Sequence, residues 1–102
     1  MLLAPSFMAS SAKVEGTLVE EGGPPPGASR PVAGRVELVG ARKTYFATAG
    51  GNGHFSLHVP IGTYLLRARP SGWQLPGYPC GGERVTASSS HTVRSTVVCR
   101  FP

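Results

Sequence analysis

Apolar and polar residues alternate along most of this chain, at the two-residue period of a half-buried strand. In KVEGTLVE (13–20), Val14, Gly16 and Leu18 fall on one side. VAGRVELVG (32–40) repeats the pattern, with Val36 and Leu38 inward and Arg35 and Glu37 outward. KTYFATA (43–49) reads as a third strand whose inward face the pattern leaves open. HFSLHV (54–59) aligns Phe55, Leu57 and Val59, and TYLLRAR (63–69) aligns Tyr64, Leu66 and Ala68. ERVTA (83–87) and TVRSTVVCRF (92–101) complete the set, the last sharing Val93, Val97, Cys99 and Phe101 on one face. Between them lie turn signals: GGNG (50–53), the strongest hairpin signal, then PIG (60–62) and the polar SSSH (88–91). EGGPPPGASRP (21–31) and SGWQLPGYPCGG (71–82) read as loops. Seven short strands and no helical period predict an all-β, antiparallel β-sandwich.

Composition sharpens this picture. The 102 residues make one domain. With 14 Gly and 10 Pro, long helices are disfavoured, while a 40% apolar fraction still supports a core. The formal charge is +5, and the arginines (30, 35, 42, 67, 69, 84, 94, 100) are spread along the chain. Arg67 and Arg69 form the densest pair on one strand face. Dispersed charge reads as solvated surface, and no aromatic interleaving suggests nucleic-acid binding. The chain has no Asp and a single Asn, Asn52, so a calcium loop cannot be assembled. The only adjacent acids, Glu20 and Glu21, fall in a Gly/Pro-rich turn region, and neighbours in extended chain point opposite ways, which argues against paired-carboxylate hydrolysis.

Cys80 and Cys99 belong to no C-x-x-C pair and have no neighbouring His, so a disulfide in a secreted, periplasmic or cell-surface domain is the natural reading. The opening MLLAPSFMASSA (1–12) has a short apolar run and Ser10 and Ala12 spaced like a signal-peptidase site, without the usual positive start. It is read as a signal-peptide remnant or a disordered lead, with the sandwich domain over 13–102. No stretch is long and apolar enough for a membrane span.

The order V-x-G-x-L (14–18), P-V-A-G-R-V-E-L (31–38), N-G-H-F-S-L-H-V-P-I-G-T-Y-L-L (52–66) and G-W (72–73) resembles the carboxypeptidase regulatory-like domain. It is similar too to transthyretin-like domains and the B-type repeats of collagen adhesins. The resemblance implies a prealbumin-like Greek-key sandwich serving as a non-catalytic accessory module. Two departures stand out. Ala49-Gly50-Gly51 replaces the Thr-Asp common before the turn. The only Asn lies in that turn, which disfavours the adhesins' internal Lys–Asn crosslink.

His54 and His58 share an outward face, but four residues of strand advance roughly 13 Å, against about 6 Å on a helix. Metal–nitrogen bonds are about 2 Å, so the pair cannot close on one ion, and no metal or other cofactor is expected. Ser and His meet in SSSH without an elbow or an orienting Asp. A transthyretin-like hydrolase would need histidines and arginines converging in a cleft, and the spacing offers none. Trp73 and Tyr78, in the 70–82 loop, are either a lid on the core or a platform for a sugar or protein. The sequence thus points to a non-enzymatic interaction module with a protein partner or neighbouring domain. The alternative is a binding module for carbohydrate or another extracellular ligand, using Trp73 and Tyr78 of the 70–82 loop and nearby arginines.

Overall fold

The computed structural model describes residues 11–25, 27–72, 80–88 and 91–101. They form eight strands: β1 (Ser11–Gly22), β2 (Ala28–Pro31), β3 (Gly34–Val39), β4 (Thr44–Ala49), β5 (His54–Pro60), β6 (Gly62–Pro70), β7 (Cys80–Ala87) and β8 (Val93–Phe101). No helix occurs among the described residues. The strands make two four-stranded sheets. In the first, β1 is central: β8 lies along one edge, and β5 and β2 follow one another along the other. The second runs β4-β3-β6-β7 and is antiparallel throughout.

The all-β reading holds, and three of its details are corrected. The described residues form eight strands, because Ala28–Pro31 pairs with β1 inside the stretch expected to be loop. Proline is excluded from central strands, but β2 is a four-residue edge strand that ends on its proline. The Arg30 guanidinium, opposite Glu20 in the register, donates to its carboxylate at 2.6 Å. Secondly, β8 runs parallel to β1, from Val14 opposite Val93 to Gly22 opposite Phe101. Strand alternation carries no information about the direction of a neighbour. Thirdly, GGNG is no hairpin: β4 belongs to the second sheet and β5 to the first. Only Gly53 of the Asn-Gly pair has positive φ (+79°), whereas the tight hairpin turn needs it at both positions. The turn is closed instead by Gly53 N–H donating to Gly50 O (2.7 Å) and His54 N–H to Asn52 Oδ1 (2.9 Å). PIG likewise carries the chain back from the first sheet to the second.

The strand boundaries also move. β1 takes in Ser11 and Ala12, with Ala12 buried, and β7 begins at Cys80. Glu20 and Glu21, placed by composition in a turn, lie within β1 and point to opposite sides: Glu20 is buried, and Glu21 reaches Arg100 at 3.2 Å.

Between the sheets, the alternation closes a single core. The first sheet contributes Val14, Leu18, Phe55, Val59, Val97 and Cys99; the second contributes Val36, Leu38, Tyr64, Leu66, Ala68, Val85 and Ala87. Gly16 is opposite Phe55 on β5 and Ser95 on β8. A Cβ there would lie 2.9 Å from the Phe55 ring and 1.8 Å from the Ser95 carbonyl oxygen, so only glycine admits both neighbours. Tyr64 packs edge-on against Tyr45 (centroids 6.0 Å, 80°) and donates its hydroxyl to Pro60 O at 2.6 Å. Burial, and to a smaller degree Tyr45, raises the Tyr64 pKa above its ordinary 10. The Cys80–Cys99 disulfide joins β7 to β8, and therefore one sheet to the other, with Cα atoms 5.0 Å apart.

Candidate interaction face

Register decides which charges meet on the outside of the second sheet. Val36 and Leu38 are buried, so Arg35 and Glu37 point outward from β3. On β6, Leu66 and Ala68 are buried, so Leu65, Arg67 and Arg69 point outward. Arg69 is opposite Arg35, Arg67 opposite Glu37, and Leu65 opposite Val39. Beyond them, β4 sets Phe46 opposite Glu37 and Thr48 opposite Arg35, while β7 sets Arg84 opposite Leu65. One sheet face thus carries four arginines, one glutamate and an aromatic.

The glutamate is not available as a counter-charge for an incoming ligand. Glu37 is 5% exposed, and Arg67 holds its carboxylate in an ion pair. Phe46, by contrast, is 52% exposed, and the Arg35 guanidinium carbon lies 4.9 Å from its ring centroid. Such a cation–π contact fixes the arginine over the ring without neutralising it. At the start of β4, the Lys43 ammonium lies 5.2 Å from the Tyr45 centroid in the same way. The outer face is therefore positive and partly apolar, with Arg35 held over Phe46 and Arg67 paired with Glu37, while Lys43 and Tyr45 lie towards the core side of β4.

The outer side of the first sheet has a different character. Glu15 accepts from Arg94 Nε (3.0 Å) and is paired with Lys13 (3.4 Å). Partial desolvation pushes the Glu15 carboxyl upward, but hydrogen bonds and charge from Lys13 and Arg94 outweigh it and hold the pKa below the usual 4.5. An open depression beside them, of about 310 Å³, is lined by Glu15, Thr17, His54, Arg94 and Ser95 among others. Its acid is compensated by two cations, and the Ser95 hydroxyl donates to Glu83 at 2.9 Å.

Cys80 and Cys99 are bonded. His54 and His58 sit exposed on β5, opposite Thr17 and Lys13, at the strand spacing that separates them. Among the described residues, no three His, Cys, Asp or Glu gather as a metal site would require. His91 is exposed in a bend ahead of β8. Trp73 and Tyr78 lie outside the described residues, as do Ser89 and Ser90 of the SSSH turn. Arg67 and Arg69 share an outward strand face, as expected, but their neighbours Arg35, Phe46 and Arg84 are brought to them by pairing alone. The signal was present as outward alternation in β3 and β6; the strand order needed to add the rows was not.

No family model matches this chain, and neither a curated protein nor a solved structure matches it.

Proposed function

We propose that this chain is a non-catalytic interaction module of an exported or cell-surface protein, which engages an acidic protein partner through the outer face of its second sheet. The observation that carries the reading is the set Arg35, Arg67, Arg69 and Arg84 on one face, with Glu37 buried beneath Arg67 and Phe46 exposed among them. Charge of one sign on a rigid sheet raises the encounter rate with an acidic surface, and the exposed ring adds apolar contact. The Arg35 guanidinium already occupies one side of Phe46, which leaves that ring poorly placed to stack on a base. A prealbumin-like architecture, akin to the carboxypeptidase regulatory-like domain, is part of this proposal. Its support is that Asn52, Gly53, Phe55, Pro60, Gly62 and Tyr64 form two sheet-changing turns and core contacts in a two-sheet sandwich. Export is supported by the disulfide.

The test is a titration with fluorescent poly-glutamate and, separately, with an oligothymidylate. Arg35→Glu/Arg84→Glu is expected to weaken poly-glutamate binding about tenfold or more, with binding falling as salt rises. Tighter binding of the oligothymidylate, or no effect of the double reversal, overturns the reading. The alternative of a carbohydrate- or ligand-binding module rests on Trp73 and Tyr78; strong acrylamide quenching of the single Trp that a glycan abolishes would favour it instead.

A further inference from the structure

The four outer edges of the two sheets are not equally defended. A free strand edge is a template for another strand, and proteins usually guard it with charge, proline, bulges or shortness. Along the first sheet, β8 carries Arg94 and Arg100, β5 ends on Pro60, and β2 has only four residues, with Arg30 and Pro31 among them. In the second sheet, β7 holds Gly81 and Gly82 at positive φ and shifts register at Leu66/Arg67. Its Glu83 is tied across to Ser95 of β8.

The remaining edge, β4, has none of these devices. Thr44–Ala49 reads TYFATA, without charge, glycine or proline, and is rich in residues that favour strands. It pairs with β3 on one side and ends the sheet on the other. Yet it is flanked by fixed cations: Arg35 over Phe46 on the outer side, and Lys43 over Tyr45 at its start. An uncharged edge between held cations welcomes a strand that brings negative charge.

We propose that β4 accepts an extended acidic segment of a partner protein as a fifth strand of the second sheet, with Glu or Asp at alternate positions facing Arg35 and apolar residues facing the core side. This rests on the basic-face reading and gives it a mode. Main-chain hydrogen bonds to β4 supply affinity, and alternate side chains supply selectivity. A second copy of this chain is the poorer occupant. Antiparallel self-pairing centred on Phe46 would set the two Phe46 rings opposite and crowd both Arg35 guanidiniums along one seam.

The probe is a fluorescent peptide of alternating valine and glutamate, tested with two N-methylated forms, each blocked along one of its two edges. The parent and one methylated form are expected to bind alike, and the other about tenfold more weakly or worse. Amide exchange over 44–49 should slow on binding. Arg35→Glu/Lys43→Glu is expected to lose the acidic peptide and gain its valine–lysine counterpart, which a misfolded variant would not do. If both methylated forms bind as well as the parent, strand addition is wrong and the basic face stands. If no acidic peptide binds at millimolar concentration while poly-glutamate still responds to Arg35→Glu/Arg84→Glu, strand addition again fails alone. Dimerisation of the free chain with protection of 44–49 would make a second copy the occupant and overturn the proposal.

Discussion

Glu15 shows how one side chain sets a pH limit. Its pKa is held below 4.5 in the folded chain by Lys13 and Arg94, despite partial desolvation. A depressed acid pKa means that the unfolded chain binds the proton more readily. The stabilisation is therefore complete above the ordinary carboxylate range and is lost as pH falls through the folded value. Chemical denaturation at pH 7 and below pH 4.5 should show a steeper acid loss for the native chain than for Glu15→Gln. Equal acid slopes would mean that the cluster on β1 and β8 contributes nothing. Tyr64 has the opposite sense: its raised pKa favours the protonated folded form, so its contribution is complete below about pH 10 and fades in more alkaline solution.

At the scale of elements, the turn before β5 does more than reverse the chain. Leu18 N–H donates to Gly53 O (2.7 Å), and Val32 N–H donates to Leu18 O (3.0 Å), so β1 passes from β5 to β2 at this point. A Cβ on Gly53 would sit 2.4 Å from Leu18 O, with φ at +79°. Gly53→Ala is expected to cost about 2 kcal/mol or more in urea denaturation. The neighbouring Gly51→Ala meets nothing within 4 Å and should be near neutral. Strand identity was legible because burial on one face imposes a two-residue period, visible in Val14/Leu18, Val36/Leu38 and Phe55/Val59. β2 was hidden because its proline and flanking glycines carry the same signal as a loop. Pairing partners were hidden too, since an alternating strand looks the same beside any neighbour. Hence Arg67 and Arg69 could be seen, and their company of Arg35, Phe46 and Arg84 could not.

For the whole molecule, the Cys80–Cys99 disulfide adds a covalent cross-link between the sheets to the turns that join them. Closing a loop of 19 residues' separation stabilises by about 3 kcal/mol in the chain-entropy model. Cys80→Ser/Cys99→Ser should lower the unfolding free energy by roughly that amount, with a lower thermal midpoint; an unchanged midpoint would show that the remaining contacts between sheets suffice. The parallel pairing of β1 with β8 has a mechanical consequence. Pulling residue 11 away from residue 101 would slide these neighbours lengthwise past each other, loading the bonds from Val14/Val93 to Gly22/Phe101 together. Bonds loaded together resist far better than bonds opened one by one, as in a zipper. Tension applied this way meets a shear clamp, a property suited to a spacer that must keep its shape under load.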